Sequence, residues 1–410
     1  MESHLRDYQV DCVRDGVAKL KEYRMVYLAM MMRTGKSITS LTISNICGYK
    51  NILFLTKKNA IDSVKHDSTL FSHNMNVTVS NYEQSSKFNR NNYDLIILDE
   101  CNEKISAYPK MGKYAKIVKS LCKNKDIIFI SATPTPESFS QIYHQLNMSD
   151  WSPFKEYKTF YKWAKDYVNV KQKLIGGFMT NDYSGAIEDK ILKEIDHLFV
   201  RLTQKEANFS DDIKDVIHKV KMSDITKQMI ESVRKDKLIK GNNSIYIADS
   251  ASKEMQGVHQ LGSGTLKIDD NISVTIDLSK VNYIKENFNN KKYAIFYNYK
   301  QERQMLIDNF DNITECDKEF NSSDDKIYIG QIVAKRSGVS LKTADILIFL
   351  STPFSSTSYF QGRSRHAHKD RTGGCDVHFL IADCGIDSYV YKTVTSKEKF
   401  TTSHYRYVKI

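Results

Sequence analysis

The sequence predicts an α/β protein built from two parallel-sheet lobes in tandem, with a helical insertion between them, and three observations predict it. Short, almost unbroken apolar runs recur near both ends of the chain, as they do in strands buried on both faces of a parallel sheet. Each run is followed by polar, helix-capable sequence, the alternation that places helices on the two faces. Between these regions lies a long stretch of different texture, aromatic and lysine-rich.

In the first lobe, residues 1–150, "MVYLAM" (Met25 to Met30) reads as a strand that enters a loop. "SITSLTISNI" follows with Ile38, Leu41 and Ile46 at helical spacing. Three more buried strands are expected in "NILFLT" (Asn51 to Thr56), "YDLIILDE" (Tyr93 to Glu100) and "DIIFISAT" (Asp126 to Thr133). Residues 151–270 form the expected insertion or connector, carried by "FKEYKTFYKWAKDYV" and "DITKQMIESVRKDKLIK". The second lobe, residues 271–410, has strand signals in "YAIFYN", "KIYIGQ", "ADILIFL" and "DVHFLIA". The polar stretch from Asn309 to Lys326 reads as surface loop. There is no short-period repeat and no low-complexity tract.

Composition bounds the function classes. At 410 residues, 41% hydrophobic and 27% charged, the chain reads as a globular protein with room for two cores. No apolar run approaches the roughly 20 residues of a membrane span, and "MESHLRDYQV" does not read as a signal peptide. A cytoplasmic protein is expected, in the host cytoplasm if phage-encoded. Cys12, Cys47, Cys101, Cys122, Cys316, Cys375 and Cys384 are scattered without a C-x-x-C pair, which suggests reduced thiols. The net charge of +11 and pI near 9.0 favour a polyanionic partner.

Two elements carry chemistry. In "MMMRTGKSITS" Gly35, Lys36 and Ser37 fill the last three places of the phosphate-binding template G-x-x-x-x-G-K-[ST], while Met30 stands at its first glycine. A loop between strand and helix holds phosphate through backbone N–H groups, with the lysine on the terminal phosphates and the hydroxyl on Mg²⁺. A helix start with an exposed lysine is the alternative. In "YDLIILDECNE" a buried strand ends in Asp99-Glu100, placing two acids at the carboxyl edge of a parallel sheet, where ligands bind in such folds. There an aspartate can hold Mg²⁺ through water and a glutamate can orient or deprotonate an attacking water.

Taken in order, "LRDYQ", "MRTGKS", "SNYEQ", "DECN", "SATPTPES", "MQGVHQLGSGTLK", "SGVSL" and "SYFQGRSRHAH" resemble the ordered motif set of superfamily 2 helicases. The similarity is nearest to the Swi/Snf-like branch, and within it to compact phage-type members. The resemblance implies two RecA-like lobes that use ATP and Mg²⁺. Arg6 and Gln9 would read adenine; Thr34, Gly35, Lys36 and Ser37 would hold the phosphates; Ser37 and Asp99 would hold the metal. Glu100 would act on the catalytic water. Ser131 and Thr133 would couple ATP state to lobe movement. Asn102 replaces the histidine common in D-E-x-H, which bears on the link between the water site and the Ser131 motif. In the pattern Q-x-x-x-R-x-x-R, Gln361 and Arg365 match and His368 does not, so Arg365 is the arginine-finger candidate with Arg363 in reserve.

Thr56, Lys57, Asn81, Tyr82, Lys335, Arg336 and Ser337 occupy positions where the family contacts nucleic acid. Arg33 would add attraction for phosphate or block the loop; otherwise it turns to solvent or pairs with Asp99 or Glu100. The aromatics from Phe154 to Lys173 either stack bases or, the preferred reading, pack onto the first lobe. His366, His368 and His378 lack a fourth ligand at metal-binding spacing. The function implied is an ATP-dependent translocase on duplex, forked or branched DNA. The alternatives are an RNA helicase, single-stranded DNA as the track, or a nucleic-acid clamp with little turnover.

Overall fold

The computed structural model describes residues 5–31, 34–175, 178–203, 206–207, 213–240, 244–270, 272–335, 339–365, 375–396, 400–405 and 408, the side chains of 174, 175, 178, 375 and 403 excepted. The chain divides into two compact units, Met1–Phe209 and Ser210–Ile410. Each is built on a six-stranded sheet.

In the first unit the strands are β1 (Met25–Met30), β2 (Asn51–Thr56), β3 (Asn76–Asn81), β4 (Leu95–Asp99), β5 (Asp126–Ile130) and β6 (Phe199–Leu202), all parallel and ordered β3-β2-β4-β5-β1-β6. Alternate residues of one strand enter different cores. Leu53 and Leu55 join the cluster that holds Trp163 and Tyr143, whereas Ile52 and Phe54 join the one that holds Val13 and Leu41. Both faces are therefore covered, which is why these strands read as continuous apolar runs. Helix α1 (Asp7–Tyr23) and helix α2 (Lys36–Ile46) lie on the second of these faces.

The second unit has β7 (Ile213–Val220), β8 (Tyr293–Tyr297), β9 (Ile313–Thr314), β10 (Ile327–Gln331), β11 (Ile346–Phe349) and β12 (Cys375–Ala382), again parallel, ordered β9-β10-β8-β11-β12-β7. Ala294 and Phe296 face one core while Ile295 and Tyr297 face the other. The expected fold class of two parallel-sheet lobes is what the chain forms.

The segment 151–270 differs from a separate helical connector. Its first part belongs to the first unit: helix Phe160–Tyr167, an antiparallel ribbon of Lys171–Ile175 with Phe178–Asp182, helix Glu188–Ile195, and then β6, which closes the sheet beside β1. Its second part opens the second unit with β7, then helices Asp224–Lys235 and Ala251–Gly262. Edge strands such as "FVRL" and "IKDVIHKV" carry polar residues because one margin faces water, and that hid them in a lysine-rich background. The stretch Asn309–Lys326 is not all loop either, since it contains β9 and the helix Asp317–Ser322.

Phe154, Phe160, Trp163 and Tyr167 are buried in the core that includes β4 and β5 side chains. They pack onto the first sheet and do not present faces for base stacking.

Candidate functional site

Chain order and strand order together build the site in the first unit. β1 delivers the lysine loop and β4 delivers the acids, with β5 between them. Both arrive at the carboxyl edge of the sheet, two strand spacings or about 10 Å apart.

At the loop, Gly35 has φ 78°, a left-handed conformation that glycine adopts without strain, and it is the N-cap of α2. Thr34 is buried and its hydroxyl donates to the Met31 carbonyl at 2.7 Å, while the Lys36 ammonium donates to the same carbonyl at 3.2 Å. The Met31 N–H in turn donates to Leu202 O at 2.9 Å, so β6 braces the loop from the far edge. Ser37 sits half-buried in the first turn of α2. Met32 and Arg33 lie outside the described residues.

Gln9 is buried against this loop. Its amide donates to Gly35 O and to the Thr39 hydroxyl, both at 3.2 Å, and accepts from the Arg6 N–H at 2.9 Å. The contact also explains the glycine, because a Cβ at residue 35 would stand 2.4 Å from Gln9 Nε2. Gln9 therefore braces the loop. Arg6 is exposed, with its guanidinium on the Tyr8 hydroxyl at 2.9 Å.

At the acids, the Asp99 carboxylate accepts from the Thr56 hydroxyl at 2.6 Å, and the Tyr82 hydroxyl donates to Asp99 O at 2.7 Å. Burial, and then the neighbouring Glu100 charge, push the Asp99 carboxyl up to about 6, against the pull of Thr56, Lys36 and Lys57. A cation at this position would relieve both causes. Glu100 follows with φ 49° and ψ 40°, a left-handed conformation that is costly for a residue with a side chain. Strain of this kind concentrates where geometry matters to function.

Asn102 answers the question raised by the missing histidine. Its Oδ1 accepts from the Ser131 hydroxyl at 2.8 Å, and Ser131 Oγ accepts from the Thr133 N–H at 3.1 Å. An amide thus joins the acidic segment to the loop after β5. Behind it, Gln145 receives the Tyr27 hydroxyl at 2.7 Å and the Cys101 thiol at 3.2 Å, and donates to Pro134 O at 2.8 Å. Nothing in the spacing of Gln145 signalled this role.

The expected nucleic-acid contacts need correction at two places. Thr56 and Tyr82 are fully buried and hold Asp99, so they position the acid and offer nothing to a bound strand. Proximity to a strand end does not reveal which way a side chain points. Lys57 pairs with Glu103 at 2.6 Å, and the Asn81 side chain caps a short turn by accepting from Gln84 N at 3.0 Å.

In the second unit, Gln361 is buried within the helix Ser356–Arg363, and Arg365 follows that helix with its Nε on Gln361 O at 3.2 Å. The Leu341 N–H donates to Arg365 O at 3.3 Å, tying the SGVSL segment to this end. Arg363 is not solvated: it pairs with Asp215 of β7 at 2.8 Å and donates to Ile213 O at 2.8 Å. Asp215 also receives the Tyr391 and Tyr359 hydroxyls. Arg363 is thus an anchor of the edge strand. Lys335 donates to Glu315 O at 3.3 Å. Arg336, Ser337, His366 and His368 lie outside the described residues, and His378 stacks on His218 with a ring hydrogen bond of 2.7 Å.

The donor set fits a nucleoside triphosphate with its metal: backbone N–H groups at a glycine-turned helix start, an ammonium, a half-buried hydroxyl, and a buried carboxylate whose pKa stays raised despite Thr56, Lys36 and Lys57. Among the described residues no cluster of three or more His, Cys, Asp or Glu could hold a metal by itself. No helix among them is long and apolar enough to cross a membrane.

No protein-family description matches the chain, and no curated protein does. Among solved structures, the Sulfolobus solfataricus SWI2/SNF2 ATPase core in complex with dsDNA is similar over 97% of this chain and 92% of its own, at 12% identity and a TM-score of 0.44. A likeness at that level assigns no residue a role.

Proposed function

We propose that this protein is a nucleic-acid-dependent ATPase that moves on, or remodels, duplex, forked or branched DNA. The observation that carries the reading is the pairing, at one sheet edge, of a glycine-turned lysine loop with a strand ending in Asp99-Glu100, linked by Asn102 to Ser131. The ordered motifs of the sequence support it in both units, and the basic charge suits a phosphate backbone.

In this reading Thr34, Gly35 and Lys36 bind and orient the phosphate tail, and Gln9 keeps the loop in shape. Ser37 and Asp99 would hold Mg²⁺, which when bound supplies charge neutralisation for phosphoryl transfer. Glu100 orients a water and takes its proton. Arg365 supplies the further positive charge that the transferred phosphoryl group needs. Lys57, Asn81, Lys335, Arg336 and Ser337 contact the nucleic-acid backbone without reading sequence.

An ATPase assay across single-stranded, duplex, forked and four-way DNA, and RNA, tests this. Stimulation by duplex or branched DNA is expected. Stimulation by RNA alone would make it an RNA helicase, and nucleic-acid binding without turnover would make it a clamp.

A further inference from the structure

We propose that Gln145, together with the Tyr27 hydroxyl and the Cys101 thiol, is a positioning residue that holds Glu100 in register with the lysine loop, so that ATP turnover depends on it and ATP binding does not. This deepens the ATPase reading and rests on it.

The order of strands creates the need for such a tie. β1 carries the lysine loop and β4 carries Glu100, but β5 lies between them, so no ladder bond joins the two strands directly. A base and the phosphate it serves must nonetheless keep their spacing closely, since a misplacement of about 1 Å can cost about a hundredfold in rate. Across β5 the two meet through side chains. Tyr27 of β1 and Cys101, the residue after Glu100, stand 3.1 Å apart, hydroxyl to thiol.

Gln145 closes this contact from the helix Ile142–Leu146. Its Nε2 donates to Pro134 O at 2.8 Å and to Gln141 O at 3.0 Å, and because carbonyls only accept, the carboxamide can be turned one way only. Its Oε1 therefore faces the other two groups, 2.7 Å from the Tyr27 hydroxyl and 3.2 Å from the Cys101 sulfur. Both N–H groups and both lone pairs are engaged, in a residue with no exposed surface. One side chain thus ties together β1, the acidic segment and the loop that follows β5.

The anchor is rigid, and the residue it secures is strained. Tyr27 is fully buried, its ring stacked between Phe129 of β5 at 5.6 Å and Phe199 of β6 at 4.6 Å. Glu100, at φ 49°, holds a backbone conformation that persists only where its surroundings fix it, and the next residue, Cys101, is fully buried in this cluster. Asn102 makes a different kind of link. Its Oδ1 accepts from Ser131, while its buried Nδ2 has no partner among the described residues. An amide with an unused donor can change partners during a reaction; one with every site engaged is a fixed reference.

The full chain and its variants are compared in two measurements: Kd for a fluorescent ATP analogue, and phosphate release under the nucleic acid that stimulates the wild type most. Gln145→Met keeps the length of the side chain and loses all of its hydrogen bonds. Its kcat should fall about ten- to a hundredfold while Kd stays within about twofold of the wild type. Cys101→Ala should lower kcat by about tenfold, and Cys101→Ser, which keeps a donor on the same carbon, should recover most of that loss. Placed in Glu100→Gln, which already lacks the base, Gln145→Met should cause no further loss of single-turnover hydrolysis.

Wild-type kcat in Gln145→Met, a parallel loss of ATP binding in a folded variant, or losses that multiply in the double variant overturns the positioning role and leaves the ATPase reading standing. Should Gln145→Met not fold, the contrast at Cys101 decides, and equal kcat in the serine and alanine variants overturns the role. A wild type that hydrolyses no ATP under any DNA or RNA overturns the ATPase reading and this inference with it.

Discussion

Glu100 and Lys36 are separated by function more than by distance, and their substitutions should differ in kind. Lys36→Ala removes the ammonium of the loop, so nucleotide affinity and turnover should fall together. Glu100→Gln keeps the shape and loses the base; ATP should bind nearly as before while kcat falls by about 10² or more. A fluorescent nucleotide titration beside a phosphate-release assay separates the two. Asn102 offers a finer test. Because its Oδ1 accepts from Ser131 Oγ, Asn102→Ala and Ser131→Ala should each lower nucleic-acid-stimulated turnover, and the double variant should be no worse than the poorer single one. Additive losses would show that the bond has no part in the reaction. The two arginines should divide as well. Arg365→Ala should bind ATP like the wild type and lose stimulated turnover, read by the same assays. Arg363→Ala leaves Asp215 without its cation at a largely buried position, which should lower the stability of the second unit by about 3–5 kcal/mol in denaturant unfolding.

At the scale of elements, the legible parts of the sequence are those whose environment is uniform. β2, β4, β5, β8 and β11 lie between neighbours and under helices on both faces, and their runs of Ile, Leu and Phe have no other plausible home. The junction around Gly35, Lys36 and Ser37 was readable from its flanks, an apolar run before it and helical spacing after it, and the chain does pass there from β1 into α2. What stayed hidden was decided by packing at a distance. β6, β7 and the ribbon carry lysine and arginine at one margin, so their composition resembles that of surface helices. Thr56 and Tyr82 stand at positions expected to meet nucleic acid until the Asp99 carboxylate is placed over one and the Asp99 carbonyl over the other. The helix Phe160–Tyr167 shows both outcomes within two turns. Trp163→Ala empties a fully buried site and should cost about 3–5 kcal/mol, whereas Lys162→Ala should change stability by less than about 0.5 kcal/mol. Chemical denaturation of the two variants checks the contrast.

At the scale of the whole molecule, the described cores do not span the two units: each sheet has its own pair. Calorimetry should therefore resolve two transitions, and acid should lower the one that belongs to the second unit by a definable amount. His259, in the second unit, is fully buried between Tyr299, which binds its Nδ1 at 2.6 Å, and Asp387, 3.9 Å from its Nε2 and paired with Lys280. Burial holds its imidazolium down to about 4 from 6.5, the Asp387 carboxylate opposing and the Lys280 charge assisting. Between those values the unfolded chain takes up a proton that the native unit refuses, so stability is full above about pH 6.5 and declines toward pH 4, by up to roughly 3 kcal/mol. His259→Gln should lessen that decline, the rest coming from His378, which burial and then the His218 charge also hold down to about 4. ATP with Mg²⁺ should instead raise the transition of the first unit, by about 2.7 kcal/mol at a hundredfold excess over Kd.

The position of β1 sets an order in time. It stands between β5 and β6, both of which come later in the chain, and its loop takes a hydrogen bond from Met31 N–H to Leu202 O. A nascent chain that has reached residue 150 has made the lysine, the aspartate and the glutamate, yet β1 still lies at an open edge and the loop has no brace. Nucleotide competence should then arrive only with the last strand of the first unit, when "FVRL" is laid down: a chain ended at residue 150 should fail to bind a fluorescent ATP analogue that the full chain binds.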